Sequence, residues 1–268
     1  MKKTVLVVLL TLIAAFAFAN GSSEKATDSK TITVGATAVP HAEMLNLVVD
    51  DMAALGYNLV VKEFTDYVTP NTAVEDGDLD ANFFQHIPYL ETFNQEHGTH
   101  LVNAGGIHIE PMALYSKKYS KLEDIPDGAT IAIPNDTTNE GRALLLLESA
   151  GLIEIDDAAG ISATPLDITS NPHSYKFVEI EAASLPRTVE DVDAAVINGN
   201  YAIPAGFSAK NDGLLVEGAD SPYVNIIAVK EGNENNEAVK ALVSCLQSQE
   251  VKDWVSETYP NGEVVVVF

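Results

Sequence analysis

Residues 77–94 read Gly77-Asp78-Leu79-Asp80-Ala81-Asn82-Phe83-Phe84-Gln85-His86-Ile87-Pro88-Tyr89-Leu90-Glu91-Thr92-Phe93-Asn94, and this stretch decides the fold. A turn at Gly77-Asp78 feeds a short apolar strand ending in Phe83, Phe84, Gln85 and His86. Pro88 then opens a helix that carries Tyr89. Four aromatic rings therefore meet where a strand gives way to a helix. In open α/β sheets ligands bind in the crevice outside the carboxyl ends of the strands, which makes this junction the first candidate site. Successive strand side chains point to opposite faces, so one of Phe83 and Phe84 belongs to the core while the other is a candidate pocket wall.

Upstream, Thr31 to Ala36 alternate toward a strand. Pro40 starts a helix whose Met44, Val48, Met52 and Leu55 recur at helical spacing until Gly56. Leu59 to Phe64 is a second strand, followed by a loop through Asn71 and a short helix ending at Gly77. Downstream of the Pro88 helix and Gly98, residues 101–113 are extended. This β-α-β-α-β-α order predicts an α/β fold with a parallel sheet covered by helices. A second unit restarts at Asp127-Gly128, with a strand over 129–133 and an apolar helix after it. Thr137 and Glu140 have the spacing of a capping box, which puts the helix start at Thr137 and Arg142 in its second turn. Strand-like segments follow over 163–168, 176–181, 193–198 and 224–229. A long amphipathic helix then covers 236–258, before a terminal apolar strand over 264–268.

Before these elements, Lys2 and Lys3 precede an apolar run from Val5 to Phe18 that closes on Ala17-Phe18-Ala19, the small-x-small pattern of an export signal cleaved near Ala19. The run is shorter than the roughly 20 residues a spanning helix needs. Residues 20–30 read as a flexible tether. The chain of 268 residues suits two lobes. Fifteen basic residues against 39 acidic ones give a formal charge of −24, which repels phosphate backbones and argues against nucleic acid as a partner. The single cysteine, Cys245, excludes an internal disulfide framework.

Arg142 carries the clearest electrostatic signal. A helix N-terminus offers free N–H groups and partial positive charge, and an arginine fork there matches a carboxylate, so a ligand carboxylate is the expected polar handle. The alternative is a surface arginine paired with Glu140 or Glu148. Asn198, Asn200 and Asn225 lie at strand ends, and their amides suit a ligand bearing an ammonium beside a carboxylate. Among six histidines, His97 and His100 straddle a helix end, and His108 and Glu110 share one strand face. No third ligand with family spacing stands nearby, so no metal site and no cofactor are expected. No Gly-x-Ser-x-Gly and no phosphate loop occur, so no enzymatic activity is expected.

Five stretches together resemble one family: Phe64-Thr65-Asp66-Tyr67-Val68-x-Pro70-Asn71, Gly77 to Tyr89, Ile133-Pro134-Asn135-Asp136-x-Thr138-Asn139-Glu140-Gly141-Arg142, Ala195-Val196-Ile197-Asn198, and Ser221-Pro222-Tyr223-Val224-Asn225. They are similar, in order and over the whole chain after the signal, to the NlpA-type methionine-binding proteins, which serve ATP-driven methionine importers. The resemblance implies a two-lobed periplasmic-binding-protein fold (type II) with the ligand at the seam, lobe 1 over 31–112 and 229–268 and lobe 2 over 113–228. It implies that Tyr67, Phe83, Phe84, His86 and Tyr89 surround the side chain of L-methionine. Arg142 would hold the carboxylate, with Asn198 and Asn225 completing the amino-acid end. A monomer that delivers its ligand to a membrane permease follows. D-methionine, a methionine-containing dipeptide, or a metal held by His86, His97, His100 or His108 are the alternatives. Asn20 stands where the family carries its acylated cysteine, so a soluble periplasmic or secreted form is expected.

Overall fold

The computed structural model describes residues 30–218 and 221–268. The export signal, its cleavage at Ala19, Asn20 and nearly all of the tether lie outside the described residues. The chain opens with β1 (Lys30–Thr37), α1 (Glu43–Leu47), α2 (Val49–Ala54), β2 (Tyr57–Phe64), α3 (Thr69–Asp76), β3 (Ala81–His86), α4 (Ile87–His97) and β4 (Leu101–Ile109). Gly77 ends α3 at φ +83, a backbone state that glycine reaches without a steric penalty. It continues through β5 (Ala113–Tyr115), β6 (Thr130–Pro134), α5 (Thr137–Ser149), β7 (Glu154–Ile155), β8 (Ile168–Ser170), β9 (Lys176–Ile180), β10 (Ala194–Ile197) and β11 (Leu215–Val216). β12 (Val224–Lys230), α6 (Glu237–Leu246), α7 (Gln249–Thr258) and β13 (Val265–Val266) close it.

These strands form two main sheets, ordered β13-β4-β12-β3-β1-β2 and β11-β5-β10-β6-β9, plus the small pair β7-β8. The fold is therefore α/β with two lobes and a cleft between them. The chain crosses between the sheets at 110–112 and again after Val216, because β12 returns to the first sheet. The first sheet is not wholly parallel as its local order suggests. β1, β2 and β3 run parallel, but β12 is antiparallel to both β3 and β4 and lies between them. All of 224–230 pairs in this sheet, including the residues 224–228 that the sequence reading grouped with the second lobe.

Three local readings change for identifiable reasons. Residues 165–167 form a turn of 3₁₀ helix rather than strand, closed by a Thr164/Asp167 capping box. The long C-terminal helix is two helices, because Ser248 accepts a hydrogen bond from the Val251 N–H and starts α7 anew. Helix α5 is capped by Asp136, whose side chain accepts from the Asn139 N–H. Thr137 instead turns its hydroxyl to Glu96 on α4, at 2.7 Å.

Both faces of each sheet are covered. In the second sheet Ile131, Ile133 and Val196 pack with Leu144 and Leu147 of α5 on one side. Ala132, Ala195 and Ile197 pack with Leu185, Val189 and Phe207 on the other. Strands buried on both faces read as continuous apolar runs, which is the pattern of 194–197. The first sheet packs Ile32, Val34, Phe83 and Ile227 against Met44, Met52, Leu242 and Leu246. Its opposite face carries Ile226 and Ala228 against Val74 and Leu90, and an aromatic group of Phe84, Tyr89 and Phe93 beside it.

Candidate functional site

Strand β3 ends at the cleft with Phe84, Gln85 and His86 all buried. Behind it, Asn71, Asn82 and Gln85 close a buried amide ring: Asn71 Nδ2 donates to Gln85 Oε1 at 3.0 Å, Asn82 Nδ2 to Asn71 Oδ1 at 2.8 Å, and Gln85 Nε2 to Asn71 Oδ1 at 2.6 Å. Every amide has a partner, so the ring locks α3 onto β3 and rigidifies the wall above it. His86 then caps α4: its Nδ1 accepts from the Tyr89 N–H at 3.1 Å. That places the ring proton on Nε2, which faces Asn139 Oδ1 across the cleft at 3.2 Å. Burial, with Arg142 adding to it, lowers the His86 pKa to about 3, so the ring is neutral at neutral pH.

Three rings wall one end of the cleft. Tyr67 lies 5.6 Å from Phe84 in a stacked arrangement and 5.7 Å from Tyr89 edge-on, and Phe84 lies 6.0 Å from Tyr89. The Tyr67 hydroxyl donates to Asn200 Oδ1 at 2.6 Å, and the Tyr89 hydroxyl donates to the Tyr67 carbonyl at 3.1 Å. Phe83 is the exception to the expected aromatic set. It is fully buried on the opposite face of β3, edge-on to His41 at 4.7 Å and to His108 at 5.4 Å, and it does not line the cleft. Strand alternation separates the two neighbours: Phe84 is the wall and Phe83 the core residue.

At the other end, Arg142 of α5 is 4 % exposed. Its partner is neither Glu140 nor Glu148 but Glu217, with Nε donating to Oε1 at 2.9 Å and Nη2 to Oε2 at 2.5 Å. Nη2 also donates to the Glu110 carbonyl at 2.8 Å, and the Tyr223 ring lies 4.2 Å beneath the guanidinium. Nη1 has no protein acceptor among the described residues.

At the cleft floor, Glu110 stands between two buried histidines that lie behind it. His108 Nε2 donates to Glu110 Oε1 at 2.8 Å, and His41 Nε2 lies 3.3 Å from the same oxygen and 3.1 Å from Asn225 Oδ1. The Thr37 hydroxyl donates to His41 Nδ1 at 2.8 Å, which leaves the His41 proton on Nε2. Burial raises the Glu110 pKa, while His41 and the backbone N–H of Asn200 oppose that rise by favouring the carboxylate. Burial pushes His41 down to about 4 and His108 down to about 3. Gly199 is required here, because a Cβ would come within 2.8 Å of the Glu110 Cβ and 2.9 Å of its Oε2. The ligating atoms of His41, His108 and Glu110 lie within 4.8 Å of one another, so these three could hold a metal ion. His86, His97 and His100 do not join them: His86 caps α4, His97 stacks on Phe93, and His100 pairs with Glu75.

The space between these groups amounts to about 320 Å³ with open solvent included. It gathers Tyr67, Phe84, His86, Tyr89, Arg142, Asn198 and Asn225 of the residues singled out from sequence, and Asn200 with them. It also contains Gln85, Glu110, Asn139 and Gly199, which sequence reasoning did not select. Asn139 and Gly199 lie inside or beside motifs already quoted. Glu110 was read only as a strand neighbour of His108, and nothing local in the sequence marks Glu217. Asn225 reaches the floor because β12 sets it opposite both His86 on β3 and His108 on β4.

Comparison with known proteins adds to this geometry. A family model described as NlpA lipoprotein matches residues 32–268. The methionine-binding lipoprotein MetQ of Bacillus subtilis is 42 % identical over 273 residues, covering 100 % of this chain and 99 % of that protein. A nutrient-binding protein of Burkholderia cenocepacia, solved bound to methionine, superposes with a TM-score of 0.85 at 45 % identity, covering 88 % of this chain and all of the other. An ABC transporter periplasmic substrate-binding protein of Coxiella burnetii gives 0.84 at 43 % identity, with 88 % and 100 % coverage.

Proposed function

The chain belongs to the NlpA lipoprotein family, and we propose that it is an extracytoplasmic, non-enzymatic receptor that captures L-methionine and hands it to the permease of an ABC importer. One observation carries the ligand. A buried guanidinium and a buried carboxylate line the same cavity whose far end is a box of three aromatic rings. That pattern complements a zwitterion bearing a flexible apolar side chain. On this reading Arg142 receives the carboxylate on its Nη1 edge, and Glu110 receives the ammonium, with Asn198 and Asn225 beside it. Tyr67, Phe84 and Tyr89 enclose the thioether, and each sulfur–ring contact contributes about 0.3–1.5 kcal/mol. His86 braces the wall rather than the ligand, and Phe83 supports the floor from behind.

Closure assembles these groups, since Tyr67, His86 and Asn225 come from the first lobe and Arg142, Asn198 and Asn200 from the second. The contacts already spanning the cleft, Tyr67 to Asn200 and His86 to Asn139, mark the closed arrangement that a ligand would stabilise.

The deciding measurement is titration calorimetry of L-methionine into protein that has been unfolded, dialysed free of ligand and refolded, with D-methionine and glycyl-methionine as competitors. Tight one-to-one binding of L-methionine supports the proposal. No heat in folded, ligand-free protein overturns the ligand, and stronger binding of a competitor replaces it. The same proposal has the protein act as a monomer after signal cleavage near Ala19. Among the described residues no helix is long and apolar enough to cross a membrane. An intact mass showing acyl chains at the N-terminus would overturn the unlipidated form.

A further inference from the structure

Arg142 has five N–H donors in a rigid fork, and three of them are already engaged by the protein. Nε and one Nη2 hydrogen go to the two oxygens of Glu217, and the other Nη2 hydrogen goes to the Glu110 carbonyl. Tyr223 covers one face of the guanidinium. Arg142 lines the cavity, whereas Glu217 does not. The Nη1 edge is what remains for a ligand.

The two partners of this fork have a particular place in the chain. Glu110 begins the first crossing between the sheets, and Glu217 begins the second, directly after β11. The crossings are themselves hydrogen-bonded side by side: the Glu217 N–H donates to the Met112 carbonyl at 2.9 Å, and the Met112 N–H donates to Glu217 Oε2 at 3.3 Å. One buried guanidinium thus fastens both connections between the lobes.

We infer that Glu217 is a positioning residue that aims Arg142 at the cavity and, through Arg142, clasps the two interlobe crossings, so that a ligand carboxylate on Arg142 is sensed at the hinge itself. The inference rests on the reading of Arg142 as the carboxylate ligand. A bidentate carboxylate on the Nε–Nη2 edge leaves the fork one orientation, and removing it frees the side chain to rotate away from the ligand. Were Glu217 instead a stand-in for the ligand carboxylate, its removal would strengthen binding.

The test compares L-methionine with L-methioninol, which lacks the carboxylate, by calorimetry in wild type, Glu217→Gln, Glu217→Ala, Arg142→Ala and Arg142→Ala/Glu217→Ala. The expected result is that Glu217→Gln and Glu217→Ala weaken methionine binding at least about 10-fold, on the scale of losing one partner of a buried charge pair. Methioninol binding should hold within about threefold, so the preference for the carboxylate collapses; a merely structural role would weaken both ligands alike. In the Arg142→Ala background, loss of Glu217 should change methionine affinity by less than about twofold, the mark of action through Arg142. A preference that survives in Glu217→Gln, tighter methionine binding in either variant, or a full effect without Arg142 overturns the inference. A wild type that does not distinguish the two ligands overturns the role of Arg142, and this inference with it. Glu217→Gln keeps the side-chain volume, so the test stands even where Glu217→Ala fails to fold.

Discussion

Asn139→Ala removes a residue whose part in the site appears only in three dimensions. Its Oδ1 accepts from His86 Nε2 at 3.2 Å and from Asn198 Nδ2 at 2.7 Å, and its Nδ2 donates to Asp136 Oδ1 at 2.7 Å. The first of these bonds crosses the cleft. In the closed arrangement the variant leaves the buried His86 and Asn198 donors without acceptors. Each orphaned buried donor costs about 1–3 kcal/mol. In an open cleft both donors meet water, so the penalty falls on closure rather than on folding. Two donors at the lower end give about 2 kcal/mol, which is about 30-fold in affinity for L-methionine. Calorimetry measures the affinity, and urea unfolding of ligand-free protein should shift by less than about 1 kcal/mol. Thr137→Ala serves as the comparison: it also deletes a bond across the cleft, to Glu96, but an exposed one, and should cost no more than about 0.5 kcal/mol. Asn139→Ala binding within threefold of wild type would refute the reasoning, because the bridging amide would then carry no closure energy.

Further outcomes follow from the same geometry. Arg142→Ala should weaken L-methionine by about 2 kcal/mol or more by calorimetry, the scale for removing a buried charge partner. Gly199→Ala should also weaken it, because the new Cβ displaces the Glu110 carboxylate; near wild-type affinity would show that this carboxylate does not hold the ligand. Acid should destabilise the ligand-free protein through its buried histidines. The folded pKa values of His41 and His108, which lie behind the cleft against Phe83, are about 4 and about 3, below the 6.5 of the free side chain. The unfolded chain therefore binds more protons, and stability is lost as pH falls from 6.5 toward about 4 for His41 and toward about 3 for His108. Each histidine contributes up to about 1.4 kcal/mol per pH unit, so His108→Gln should make the drop between pH 7 and pH 5 smaller by about 2 kcal/mol in urea titrations. Cys245→Ser should leave ligand affinity at the wild-type value, since that thiol packs in the first-lobe core away from the cleft.

Local chemistry determined much of this protein in advance. The strand-to-helix junction at Phe84-Gln85-His86 and Pro88, the opposite facing of two adjacent phenylalanines, the apolar runs of the second sheet and the placement of Arg142 in the second turn of α5 all follow from spacings of a few residues. The tertiary structure alone decided what meets across long separations. Strand β12 enters the first sheet between β3 and β4, and only that insertion brings Asn225 against His41, which lies 184 residues earlier. Glu217 meets Arg142 across 75 residues because two crossings between lobes run side by side. His41 joins Glu110 and His108 from a different element altogether. Hydrogen-bond partners in a sheet, and ion pairs at a hinge, are selected by the packing of whole lobes. Periodicity and capping report the nearest turn of chain, and nothing in them encodes which distant strand will lie alongside.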